Sequence, residues 1–338
     1  MIKKNSNSSV GRKTAHVLAY LGVTLLCVLI TLLGVIWIFE KGPSETLTGM
    51  FCRSVRETSA IRWLSGIFLD EEELEQYLSV STETLDTANV NTSLIHISQE
   101  ASEAEEEGIE LIDISAGTCK GKLLIVRDPK KVILGISGEF GTEPGIQMTE
   151  MVEKYNGIAG INAGGFNDNN GLGNGGTPTG LVITEDGILW GSASERYNVI
   201  GLDADGILHV GTMTGQEALD AGIVNGVSFV THDGLASSLI INGEVQEQNL
   251  SAGINPRTAI GQRADGALLL LVLDGRSINT LGATMQNICD IMLEYGAINA
   301  GNLDGGSSSV MVYEGEIINN CASVTGPRRV PTGFIVLK

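Results

Sequence analysis

Glu294-Tyr295-Gly296-Ala297-Ile298-Asn299-Ala300-Gly301-Asn302-Leu303-Asp304-Gly305-Gly306-Ser307-Ser308-Ser309 is the stretch whose reading decides the fold. An amphipathic run ends at Tyr295, a short apolar strand follows, and the chain then enters a glycine loop holding one carboxylate, one carboxamide and three hydroxyls. Such a loop is poor core material. Its glycines let backbone N–H groups approach a ligand and adopt the positive-φ conformations that aim them inward, although Asp-Gly is also the commonest signal of a plain turn. The same succession occurs earlier, in Glu153-Lys154-Tyr155-Asn156-Gly157-Ile158-Ala159-Gly160-Ile161-Asn162-Ala163-Gly164-Gly165. If these two strands lie side by side with the same sense, both loops leave one edge of a sheet and a site could be built between them. Chance recurrence of short glycine-rich strings is the alternative.

Working outward, short apolar runs at 123–126, 132–136, 158–163, 181–183, 199–202, 229–230, 239–241, 268–273, 310–313 and 334–337 are separated by Gly, Asp and Asn. Turn signals such as Asp186-Gly187 and Asn242-Gly243 bound them, as expected of strands. Helical spacing is confined to 149–155 and 284–295, the second placing Met285, Ile288, Met292 and Tyr295 on one face. Many strands with few helices predict an α+β domain over residues 108–338, with a mixed, largely antiparallel sheet and a few packed helices.

The N-terminal third differs. Lys3, Lys4, Arg12 and Lys13 supply +4 of a chain whose net charge is -19, leaving -23 for the remainder. Residues 17–39 carry no charge and are long enough to cross a hydrocarbon core, so a transmembrane helix is expected, with a cleaved signal peptide as its competitor. The positive-inside rule places the basic tail, residues 1–16, in the cytoplasm and the C-terminal domain outside it. Residues 40–107 read as a stalk with short helices at 46–64 and 70–78 and an acidic run from Glu100 to Glu110. A protein this acidic excludes nucleic acid as a partner. Outside the span, Cys52, Cys119, Cys289 and Cys321 allow three complete pairings; Cys289, in a helical run, is equally suited to a buried free thiol.

Five segments carry chemistry-bearing residues in order: Asn162 to Phe166, Asn255-Pro256-Arg257-Thr258-Ala259-Ile260-Gly261, Asp274-Gly275-Arg276, Asn302 to Ser307, and Asn319 with Pro327-Arg328-Arg329-Val330-Pro331. In this order and spacing the chain resembles the phosphodiester glycosidase family over roughly residues 110–338. The likeness implies hydrolysis of the bond between an anomeric carbon and a phosphodiester, as in an α-N-acetylglucosaminidase, releasing a sugar and a phosphomonoester.

The residues suit that chemistry independently. Arg257, Arg276 and Arg328 are candidate phosphate ligands, because a guanidinium grips phosphate oxygens through paired hydrogen bonds; surface ion pairing is the other role open to each. Asp304 and Asp274 are the candidate catalytic carboxylates, Asp304 at the anomeric carbon and Asp274 there or holding sugar hydroxyls. Asn162, Asn302 and Asn319 are candidates to bond the sugar or to cap tight turns, and Phe166 to pack on the sugar's apolar face. Gly165, Thr258, Gly305, Gly306 and Ser307 complete the expected substrate-binding set. No cofactor is expected; calcium is the one ion that Asp168, Asp274 and Asp304 could suit, yet no EF-hand loop is present. Gly171 to Gly176 matches a dinucleotide fingerprint in spacing only and reads as a mobile loop, a candidate lid. A serine-hydrolase triad of Ser307 with His232 and Asp233 lacks its elbow. The sequence thus predicts a membrane-anchored, outward-facing glycosidase acting on a sugar-1-phosphodiester of an envelope or exported polysaccharide. A non-catalytic phosphoglycan-binding module and glycosyl transfer from the same substrate are its alternatives.

Overall fold

The computed structural model describes residues 7–58, 61–78, 90–97, 108–168, 173–230, 237–250, 252–277, 280–323 and 326–338. The acidic residues Glu100 to Glu107, positions 169–172 of the glycine loop, and His232 with Asp233 lie outside the described residues.

The chain opens with helix α1 (Asn7–Lys41), of which Thr14–Lys41 is long and apolar enough to cross a membrane; its most apolar window is exposed, while its last turn packs on the segment that follows. Helix α2 (Glu45–Arg56) starts at Ser44, whose side chain accepts from the Leu47 N–H. Helix α3 (Glu71–Leu78) starts at a reciprocal pair, in which Asp70 accepts from the Glu73 N–H and Glu73 from the Asp70 N–H. The expected helix at 46–64 stops early, and a separate 3-10 turn (Arg62–Gly66) follows. Cys52, Leu69 and Leu74 form the small core of this region.

Beyond it come hairpin β1 (Ile109–Ala116) and β2 (Cys119–Val126), then β3 (Val132–Ile136), α4 (Met148–Lys154) and β4 (Gly157–Asn162). Two successive copies of one unit follow. The first runs β5 (Val182–Thr184), β6 (Gly187–Trp190), β7 (Arg196–Asp203), β8 (Leu208–Thr214), α5 (Gly215–Asp220), β9 (Ile223–Ser228). The second runs β10 (Ser238–Ile241), β11 (Glu244–Val245), β12 (Arg257–Arg263), β13 (Leu268–Leu273), α6 (Met285–Glu294), β14 (Ala297–Asn302). The chain finishes with β15 (Met311–Tyr313), β16 (Glu316–Ile317) and β17 (Thr332–Leu337).

Each unit is a hairpin, two strands, a helix and a strand, and the last strand inserts between the hairpin and the pair. The orders are β8-β7-β9-β5-β6 and β13-β12-β14-β10-β11, the latter extended by β2 and β1. The third sheet, β3-β17-β4-β15-β16, has the same order but is assembled from both ends of the domain. Every strand pairing among the described residues is antiparallel.

The likeness of the units extends to single residues. Each helix is followed by one left-handed residue, Asn156 (φ 51), Gly222 (φ 80) or Gly296 (φ 84), which turns the chain back into the sheet. The register then shifts at equivalent places, before Leu337↔Gly157, Asp203↔Ile223 and Arg263↔Ala297. The echo between the Tyr155 and Tyr295 segments is therefore real in structure. The expectation that β4 and β14 lie side by side is not met: they occupy different sheets, because each pairs with the strands of its own unit.

The three sheets face one shared core built from Leu134, Ile161 and Phe334, from Ile200, Val210 and Val227, and from Ile260, Leu270 and Leu303. One helix backs each sheet on its outer side: α4 through Met148, Met151 and Val152, α5 through Ala218, and α6 through Met285, Ile288, Cys289 and Met292. All five cysteines are free thiols, and burial pushes the Cys289 thiol up to about 12. The run at 229–230, expected as a strand, lies just past the end of β9, whose Asn225 and Gly226 hide it from a reading by apolar runs.

Candidate active site

The last strands of the three units point their exits at one another. The Asp304 N–H donates to the Ala163 carbonyl at 3.0 Å, Gly165 N–H to Ser228 at 3.3 Å, and Asn302 N–H to Ser237 at 2.7 Å. Thus the two echoing loops do meet, through the closure of the three sheets rather than through adjacent strands. In each unit the residue after the strand also continues the pairing, from Ala163 N–H to Thr332, Phe229 N–H to Asn198 and Leu303 N–H to Thr258.

Asp304 stands at this junction, partly buried. Burial raises its carboxyl to about 7, opposed by the Ser308 hydroxyl, the Arg328 charge and the Gly305 N–H, while the Asp168 charge raises it further. A carboxyl so placed holds a proton near neutral pH and can deliver it. Asp168 is thus the second carboxylate acting on Asp304; Asp274 is not among the groups that do so. Instead Asp274, itself raised by burial, accepts from the Asn320 N–H at 2.9 Å and from Asn319, and so ties the end of β13 to the loop after β16.

Arg328 bridges the two sides of the site. Its Nη1 lies 3.4 Å from Asp168 Oδ2 and 3.4 Å from Ser307 Oγ, and its guanidinium sits over the Phe166 ring, 5.2 Å from the centroid. Its Nη2 is enclosed and has no hydrogen-bond partner among the described residues. A buried cationic donor without an acceptor is costly, and an anionic oxygen is the group that would satisfy it. Arg276, held at φ 53, donates from Nη2 to Thr58 at 2.6 Å and to Asn255 at 2.8 Å. A Cβ on Gly306, a left-handed residue (φ 66), would stand 3.5 Å from the Arg276 Nη2, in ordinary contact. Gly305 is the more tightly pressed of the two: a Cβ there would stand 2.8 Å from the Pro256 carbonyl.

The other expected ligands are turned into the fold. Arg257 is 4% exposed and pairs with Glu57 of the segment after α2 at 3.0 Å; its remaining donors reach the Gly253 and Ala283 carbonyls. Its partner was invisible in the sequence because it lies 200 residues upstream. The Asn162 side chain is also turned into the fold, donating to the Asp304 carbonyl at 2.5 Å and accepting from Thr258 Oγ1 at 3.0 Å and Val310 N–H at 3.1 Å. That accounts for Thr258 as well. Asn319 accepts from Met311 N–H and donates to the Ser309 carbonyl. Asn302 is fully buried, and its carboxamide finds no partner among the described residues. Gly165 packs against Thr179 and Phe229. These residues shape the loops, whereas Asp304, Asp168, Arg328, Arg276, Ser307, Gly306 and Phe166 form their common face. No group of three or more His, Cys, Asp or Glu able to hold a metal ion occurs among the described residues.

A family model described as phosphodiester glycosidase matches residues 155–337, more than half of the chain and every residue of this junction. The chain belongs to the phosphodiester glycosidase family. A Bacillus subtilis (strain 168) relative, the SPbeta prophage-derived uncharacterized protein YomE, is 32% identical over 200 residues, 57% of this chain and 30% of that protein. Human N-acetylglucosamine-1-phosphodiester alpha-N-acetylglucosaminidase is 29% identical over 160 residues, 43% of this chain and 30% of the human protein. The matched part thus spans about 30% of the length of either relative. The catalytic domain of the zebrafish N-acetylglucosamine-1-phosphodiester alpha-N-acetylglucosaminidase has the same fold, with a TM-score of 0.57 at 19% identity over 70% of this chain and 85% of that one.

Three contributors carry no motif, Asp168 inside the phosphodiester glycosidase domain and Glu57 and Thr58 upstream of it. Asp168 lies six residues past the end of β4, and only folding brings it against Arg328. Glu57 and Thr58 carry no local signal at all. The one available clue was Arg257, an arginine in an apolar strand that needs a buried partner.

Proposed function

We propose that this protein is a membrane-anchored hydrolase, facing outward, that cleaves a sugar-1-phosphodiester of the cell envelope or of an exported glycan. The observation that carries this reading is the pairing of Asp304, raised to about 7, with Arg328, whose enclosed Nη2 lacks an acceptor. The activity named for the human relative has the same bond as its target.

In this reading Arg328 and Arg276 hold the phosphate oxygens, with Ser307 and the backbone of the Gly305-Gly306 loop beside them. The bond between the anomeric carbon and the phosphate oxygen breaks, and the Asp304 proton passes to the departing oxygen. A phosphomonoester has a second pKa of about 6, so a modest acid suffices for this leaving group. Asp168 stabilises the positive charge that develops on the sugar. Water then adds to the anomeric carbon and returns a proton to Asp304. The products are a reducing sugar and a phosphomonoester, and the reaction calls on no cofactor. Phe166 keeps the Arg328 plane facing the substrate.

The test is to incubate the full chain in detergent micelles with sugar-1-phosphodiesters and to measure reducing sugar and phosphomonoester separately. Equal release of both, lost in Asp304→Asn, is the expected result. Binding without release, unchanged in Asp304→Asn, would overturn the reading and leave a phosphoglycan-binding module.

A further inference from the structure

The site is fixed close to the end of α1, and this bears on which phosphodiester it meets. The last turn of α1 is held from three directions. Phe39 stacks on Phe51 of α2 with centroids 5.0 Å apart, Glu40 accepts from the Phe68 N–H at 2.7 Å, and Lys41 pairs with Glu73 of α3. Six residues past Phe51, Glu57 binds the Gly253 N–H at 3.1 Å, Asn255 Nδ2 at 2.6 Å and Arg257 at 3.0 Å, and Thr58 takes a hydrogen bond from Arg276. At 1.5 Å per residue these six residues span about 9 Å. Arg276 lies beside the Gly306 loop, so a path of roughly 20 Å joins the end of the apolar span to the phosphate side of the site. The interfacial layer of a bilayer is itself about 5–7 Å deep on each side.

The same collar exposes the side chains that favour such a layer. Trp63 is 68% exposed, Leu47 43% and Ile61 39%, with Arg62 next to Trp63. Trp at the edge of a hydrocarbon core, beside basic residues, is the usual composition of the membrane interface. A domain on a long free stalk would have neither the short distance nor this surface.

Resting on the function proposed above, we infer that the substrate is a lipid-linked sugar-1-phosphodiester, its aglycone a long hydrocarbon chain held in the same bilayer that anchors α1. The phosphate of such a molecule rises from headgroup depth to reach Arg276 and Arg328 above the interfacial layer, and the sugar meets Asp168 and Asp304 there. Confinement to the bilayer raises the effective concentration of the substrate at the site.

The full chain in lipid vesicles is given α-N-acetylglucosamine-1-phosphate esterified to a long isoprenoid alcohol or, at equal total amount, to methanol. The isoprenoid diester is expected to be cleaved about ten-fold faster or more, as confinement predicts. In Trp63→Ala that preference shrinks, while cleavage of the methyl diester stays as it was. Equal rates, or faster cleavage of the methyl diester, overturn this inference and leave the glycosidase intact. Cleavage of neither, under conditions where Asp304→Asn matches the unsubstituted protein, overturns both. A second measurement is independent of turnover: brominated lipids should quench a Trp63 fluorescence component that is missing in Trp63→Phe. An absence of such quenching overturns the inference too.

Discussion

Asn162 and Asp304 belong to different sheets, yet the Asn162 carboxamide donates to the Asp304 carbonyl at 2.5 Å. The same carboxamide accepts from Thr258 and from the Val310 N–H, so one buried side chain joins the ends of three segments. Asn162→Ala leaves those groups unpaired in a dry environment, at about 1–3 kcal/mol each before relaxation. The expected outcome is a clear fall in melting temperature together with loss of activity. Asn162→Asp should restore neither, because a carboxylate cannot donate to the Asp304 carbonyl. Thermal unfolding of the detergent-solubilised chain checks both.

Asp304 makes activity and stability depend on pH in the same window. Its folded value of about 7 lies above the ordinary aspartate value. The proton it binds on folding therefore contributes stability that is complete below about pH 4 and is lost as pH rises through about 7. Asp304→Asn lacks this dependence, so its melting temperature should gain on that of the unsubstituted protein from pH 4 to pH 7 and then level off. With Asp304 as the proton donor, kcat/KM of the unsubstituted protein should fall above about pH 7. A flat difference in melting temperature across this range would remove the assignment.

Glu57 and Arg257 are nearly buried, and removing one charge strands the other. Glu57→Ala is expected to destabilise the chain by about 3–5 kcal/mol, while Glu57→Ala with Arg257→Met recovers most of it. Denaturant melts of the two variants decide the matter. Equal destabilisation would mean that packing, not charge, holds α2 against the domain.

In the proposed reaction Arg328 is expected to act through its flat shape as well as its charge. Arg328→Lys keeps the charge but loses the paired donors and the stacking over Phe166. A drop in kcat/KM of about a hundred-fold is expected, the equivalent of roughly 2–3 kcal/mol. Steady-state kinetics with a soluble sugar-1-phosphodiester would reveal it, and near-normal kinetics would remove Arg328 from the phosphate site.

What was legible in the sequence followed local rules. The two main helices were found from their apolar spacing, the β10–β11 hairpin from Asn242-Gly243, and the Asp304 loop from its glycines and hydroxyls. Pairings between distant segments were not legible. β4 and β14 have matching sequences, yet each is placed by hydrogen bonds to a strand from elsewhere in its unit. Asn162 and Thr258 looked like ligands because polar residues in apolar strands look alike whether they face a substrate or one another. Short β9 was hidden by Asn225 and Gly226, whereas Val230, which resembled strand, is exposed.

The split of the third unit sets an order of events for the newborn chain. β3 and β4 emerge early, but the strand that belongs between them, β17, is made roughly two hundred residues later, and such distant pairing is slow. Until then two unpaired edges stand open, and Thr332 is absent from its place against Ala163 and Gly164. The junction at Asp304 is therefore complete only when β17 has entered between β3 and β4 and closed the ring of sheets. A partly made copy is an inactive one, and its open edges are what a chaperone or protease would recognise first.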